Sequence, residues 1–89
     1  MEHAKRHIPN RLKKHRVRMG YKQKDVAYLL GLVSTNRISQ WEHGLTLPST
    51  MNLIKLSVIY RTLPTDLYFD VMETVRDELG PKEQALLGR

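Results

Sequence analysis

The chain reads as an all-α protein, and three observations carry that reading. No segment shows the strict apolar–polar alternation of a half-buried strand. Glycine and proline punctuate the chain at Gly20, Gly31, Gly44, Pro48, Pro64, Gly80 and Pro81, leaving segments of roughly 8 to 16 residues between them. Within those segments apolar residues recur at spacings of three and four, as they do on one face of a helix.

The first helix is expected from about Pro9 to Met19. Proline suits the first helical position, where an N–H would find no partner. Ile8, Leu12, Arg16 and Met19 share one face, so an otherwise apolar stripe contains one charge. Gly20 ends the element. The second helix runs from about Gln23 to Leu30. Asp25 complements the dipole of its first turn, Val26, Ala27 and Leu30 face inward, and Gly31 closes it. A third helix follows from about Thr35 to His43, with Ser34 as N-cap, Gly44 just past its end, and Ile38 and Trp41 on one side. Ser49 caps a fourth, Thr50 to Tyr60, with Leu53, Ile54, Leu56 and Ser57 available for packing. Thr65 to Phe69 makes a short fifth. Asp70 to Leu79 is helical again, with Tyr68, Met72, Val75 and Leu79 in one stripe. Gly80-Pro81 is expected to break it and to leave Lys82–Arg89 as a frayed turn. Trp41 reads as a core residue, and Tyr21 and Tyr28 read as packing residues with exposed hydroxyls.

Composition narrows the function. Eighty-nine residues suffice for one small domain. The absence of cysteine excludes a disulfide framework, a thiolate zinc site and a cysteine nucleophile. No apolar run approaches the roughly 20 residues that span a bilayer, and the basic start is not followed by the apolar stretch of a signal peptide. The net charge of +6 is uneven. Residues 1–45 carry 10 Lys and Arg against 3 Asp and Glu, whereas residues 46–89 carry 5 against 6. A basic half points to a polyanion, with nucleic acid as the first expectation and anionic lipid as the second. Catalysis is not expected: the carboxylates are few and scattered, and no glycine-rich phosphate loop is present. His3 and His7 are four apart, as helical metal ligands would be, but no third ligand accompanies them, so neither a metal nor a cofactor is expected. No small-molecule ligand and no membrane partner is expected either. His15 and His43 read as surface or phosphate-facing residues.

The segment QKDVAYLLG-LV-STNRISQWEHG carries the function. Two short helices joined by a glycine-containing turn are the signature of a helix-turn-helix. Ala27 is small enough to let the two helices cross closely. The second helix of the pair is split in character, with Ile38 and Trp41 on one side and Thr35, Asn36, Arg37, Ser39 and Gln40 elsewhere. Amides pair bidentately with adenine in the major groove, Arg with guanine, and Ser or Thr with several bases. A helix that is apolar behind and amide-rich in front suits the reading of base edges.

Residues 11–69 resemble the phage-repressor and Cro-like helix-turn-helix family, often called XRE. The stretches that carry the likeness are RVRMGYKQKDVAYLLG, STNRISQWEHGLTLPS, LIKL and DL. The resemblance implies a five-helix lambda-repressor-like domain whose third helix enters the major groove, here followed by an extra C-terminal helical segment. It implies base contacts at Thr35, Asn36 and Gln40, with Ser39 secondary; Arg37, on the same polar side, joins them as an expectation. Gln23, Ser34, His43 and the loop after Gly44, including Thr46, match its backbone-contact positions, and Lys22 and Lys24 flank Gln23. Arg16 and Glu42 match a partly buried ion pair, which would account for the charge within the first stripe. The chain departs from the family pattern in four places. One extra residue lies between Gly31 and Ile38, placed at Leu32-Val33, which leaves the recognition-helix register open by one. Lys22 stands where a capping Ser or Thr is usual. Leu45 and Leu47 occupy a loop that is often basic. Arg61 replaces a common glycine.

The expected organisation is a basic arm over residues 1–8, the DNA-binding domain over 9–69 and a helical extension over 70–89. Lys5, Arg6, Arg11, Lys13, Lys14 and Arg18 are candidates for phosphate contact, the arm reaching into the minor groove in the sharper version. The stripe from Tyr68 to Leu79 is either a lid or a dimer seam, with the seam favoured. The expected function is a sequence-specific transcriptional regulator, a repressor acting as a homodimer, cytoplasmic and nucleoid-associated, of prokaryotic or phage origin. The alternative is a protein-interaction module of the same fold, such as an antitoxin or accessory regulator, which the hydrophobic loop at Leu45 and Leu47 would suit.

Overall fold

A computed structural model describes residues 7–88. It contains six helices and, among the described residues, no strand: α1 (Leu12–Arg18), α2 (Gln23–Leu30), α3 (Asn36–Glu42), α4 (Thr50–Ile59), α5 (Pro64–Leu67) and α6 (Phe69–Leu87). The all-α architecture is the one the sequence predicts. Leu12, Val26, Ala27, Leu30, Ile38, Trp41, Leu56, Tyr60, Leu67 and Tyr68 form one core shared by α1 to α5 and the residue that follows α5.

Local sequence explains most of the element boundaries. α2 has no capping hydroxyl at Lys22; instead the Asp25 carboxylate accepts from the Lys22 backbone N–H at 2.8 Å, satisfying one donor at that end. The Ser49 hydroxyl accepts from the Asn52 N–H at 3.2 Å, as an N-cap does. Ser34 lies one residue before the N-cap, Thr35, and its hydroxyl accepts from the Asn36 N–H at 3.3 Å.

Several expectations are corrected. Pro9 stands outside α1, because the segment before the helix is held by α3. The Asn10 amide donates to the carbonyls of Ile8, Trp41 and Glu42, and its oxygen accepts from the Leu12 N–H. The Ile8 N–H donates to the Gly44 carbonyl at 2.8 Å. That pairing is close enough that only glycine fits: a Cβ at residue 44 would collide with the Ile8 carbonyl, and φ there is +73°. On α4, Ile54 is 46% exposed, and Leu56 and Ser57 face the core instead. α5 begins one residue early, at Pro64. Gly80-Pro81 does not break the last helix, which runs on to Leu87. The clash that usually bars helix before proline involves the preceding Cβ, and Gly80 has none. Tyr28 is 81% exposed on the outer side of α2, one turn after Lys24, and does not pack. Tyr21 is half-buried and Trp41 is buried. His15 is buried rather than phosphate-facing, and its Nδ1 has no partner among the described residues.

Candidate nucleic-acid interface

α2 and α3 are joined by Gly31–Thr35. Leu32 tucks against the core while Val33 is fully exposed, so the extra residue of this turn is accommodated by looping outward. Ile38 and Trp41, 1% and 4% exposed, then fix the rotation of α3 about its axis. At about 100° per residue, Asn36, Gln40 and His43 fall on one line directly opposite that buried pair. All three are exposed. Arg37, exposed, and Ser39, half-exposed, flank the line on either side, and Thr35 is half-exposed at the N-cap, nearer the core.

The far end of α3 is clamped. Arg16 Nε donates to Glu42 Oε2 at 2.6 Å and Arg16 Nη2 to Oε1 at 3.1 Å, with the two side chains 10% and 4% exposed. Gln23 Nε2 donates to the same Oε1 at 3.0 Å, and Arg16 Nη1 to the Tyr21 carbonyl at 3.0 Å. This network ties α1, the α1–α2 turn and the first residue of α2 to the last residue of α3. It also holds the Arg16 guanidinium charged, chiefly through the hydrogen bonds to Glu42. Tyr60 beside it is kept neutral, its pKa raised by burial and then by the Glu42 charge. One N–H of Gln23 is therefore engaged with Glu42, and its second remains for another acceptor.

The other sites expected to face a backbone all lie at the surface. Lys22, Lys24, Ser34, His43 and Thr46 are exposed, and Gln23 is half-exposed. The His43 ring nitrogen Nδ1 lies 2.8 Å from the Ser39 carbonyl. A carbonyl only accepts, so Nδ1 is the donor of that bond. On α1, Lys13, Lys14 and Arg18 are exposed. Arg11 differs: it lies over the Phe69 ring at 4.7 Å and pairs with Asp70 at 3.4 Å, which ties it to α6. His7 is exposed, whereas His3, Lys5, Arg6 and the rest of the expected arm up to residue 6 lie outside the described residues. Leu45 and Leu47 are exposed in the loop after α3.

A family model described as helix-turn-helix matches residues 12–67, from the first residue of α1 to the last of α5. The chain belongs to the helix-turn-helix family of the phage-repressor and Cro type. No curated protein and no solved structure matches it. This helix-turn-helix protein is thus a DNA-binding regulator by family, and the match ends where α6 begins. No helix among the described residues is long and apolar enough to cross a membrane. Sequence reasoning placed the Arg16–Glu42 pair but missed the third partner, Gln23, and the sewing of Ile8 and Asn10 to α3. A half-polar residue ahead of a helix gives no local signal of a contact some 30 positions away. Tyr28 could have been found, because it lies off the Val26, Ala27, Leu30 stripe.

Proposed function

We propose that this helix-turn-helix protein is a sequence-specific repressor that reads the major groove of double-stranded DNA with α3, acting as a homodimer on a two-fold site in the bacterial or phage nucleoid. The observation that carries the reading is the line of Asn36, Gln40 and His43 held outward by buried Ile38 and Trp41. Asn36 and Gln40 present amides suited to adenine, and Arg37, Ser39 and Thr35 supply the neighbouring base contacts. Lys22, Gln23, Lys24, Ser34, His43 and Thr46 contact phosphates on either side and set the register of α3. Two copies place their reading helices about one DNA turn apart, roughly 34–36 Å.

Selection of bound duplexes from a random library identifies the preferred site. On that site Asn36→Ala or Gln40→Ala weakens binding by about 1–3 kcal/mol and relaxes the preference at the contacted bases. Lys24→Ala weakens binding to preferred and random duplex alike and reduces the salt slope by about one. Unchanged discrimination in the Asn36→Ala/Gln40→Ala double variant overturns the assignment of this face. A chain that releases random duplex and heparin with no salt dependence is instead the interaction module.

A further inference from the structure

The element that the family match leaves out has an apolar face with none of the described residues packed along it. None of the residues of α6 is buried. Val71 packs against the core and Met72 is half-buried, but Val75, Leu79 and Leu86 are 41%, 53% and 56% exposed. Met72, Val75, Leu79, Lys82 and Leu86 follow one another at spacings of three, four, three and four, the seam pattern of paired helices. These residues, with Arg76 and Glu83, line one open hollow along the helix. The two poorest helix formers, Gly80 and Pro81, sit in the middle of this stretch. A helix that crosses them in water needs support from something packed on its stripe.

The charges say what that something is. Arg76 and Glu83 are two turns apart on the same flank of the stripe, and Lys82 stands within it. A parallel pair of α6 helices would set Lys82 against Lys82 of the second copy and Glu83 against Glu78 of the second copy. An antiparallel pair crossing at Leu79 brings Arg76 of each copy against Glu83 of the other, twice by symmetry. Lys82 then lies beside Leu79 of the second copy, its stem on the seam and its ammonium in water. The bond that Arg76 makes within its own helix, to Glu73 at 2.9 Å, is exposed and leaves further guanidinium donors free for Glu83. We propose that α6 pairs antiparallel with α6 of a second copy of this chain, about a two-fold axis beside Leu79, with Arg76 and Glu83 exchanged across the seam.

The proposal deepens the homodimer reading above, and it is tested without DNA. The full chain should self-associate in sedimentation velocity between low and high micromolar concentrations. Arg76→Glu should weaken that association about tenfold, and the double variant Arg76→Glu/Glu83→Arg should restore it. The native chain has no cysteine, so single cysteines report the geometry. Leu79→Cys should oxidise to a covalent dimer. Leu86→Cys should not, because the two copies of residue 86 lie about 20 Å apart in an antiparallel pair, beyond disulfide reach. Since α6 buries no residue, circular dichroism should show the fold of α1 to α5 unchanged in every variant. A wild-type chain that stays monomeric, equal cross-linking of both cysteines, or a double variant that does not recover overturns the proposal. Failure of the DNA reading would show separately, as Asn36 and Gln40 variants that self-associate normally and discriminate normally.

Discussion

Removing either partner of the Arg16–Glu42 pair should cost far more than removing both. The Glu42 side chain is 4% exposed and accepts three hydrogen bonds, two from Arg16 and one from Gln23. Arg16→Met takes away two of the three and leaves a buried carboxylate held by one neutral amide. Glu42→Leu leaves the guanidinium, 10% exposed, with the Tyr21 carbonyl as its remaining described partner. An uncompensated buried charge costs about 3–5 kcal/mol, a large part of the roughly 5–15 kcal/mol that holds a small domain folded. The double variant Arg16→Met/Glu42→Leu buries no charge and replaces the pair by apolar groups of similar reach. It should therefore lose about 2 kcal/mol or less. Urea unfolding of all four proteins at neutral pH, followed by far-ultraviolet circular dichroism, closes the cycle. Single variants that lose under 1 kcal/mol, or a double variant that loses the sum of the two, would refute the reasoning, because the cost would then not come from a stranded charge.

Three further outcomes follow from the geometry. Gly44→Ala should destabilise more than Gly31→Ala in the same unfolding assay: both sites have φ +73°, costing about 1–2 kcal/mol with a side chain, but only at residue 44 does the added Cβ meet the Ile8 backbone. Equal losses would mean that the Ile8 strap is not seated there. Arg61 carries φ +54°, so Arg61→Gly should raise stability by about 0.5–1 kcal/mol, visible as a higher Tm, and no gain would count against that backbone conformation. His15 has its pKa lowered from 6.5, first by burial and then by Arg18, Lys14 and Arg11, with Asp66 opposing. The unfolded chain thus takes up this proton first as pH falls, so stability is full above pH 6.5 and declines below it toward the lowered folded value. His15→Leu should flatten that part of the pH–stability profile, and an unchanged slope would assign the decline to another group.

Much of the fold and of the exposed face of α3 was legible in the residues themselves. The limits of α2 follow from Asp25 and Gly31, the start of α4 from Ser49, and the inward side of α3 from the spacing of Ile38 and Trp41. These are local effects: a cap, a left-handed turn and a three-residue period act within one or two turns of chain. The charged member of the first stripe, Arg16, was likewise visible as an anomaly, and the family likeness supplied Glu42 as its partner. Where the reading failed, the deciding contact was remote or the local rule had a local exception. Asn10 is drawn out of helix by carbonyls on α3, and His15 is covered by neighbours that no periodicity names. At Pro81 the glycine before it removes one of the clashes that usually end a helix there. The sequence by itself determined which segments coil and which side of each is apolar, because those depend on neighbours along the chain. Only the tertiary structure decided that Glu42 gathers Arg16 and Gln23, and that Asn10 reaches the carbonyls of Trp41 and Glu42. Such contacts join residues up to some 30 positions apart, and they form only once the core has set the angles between helices.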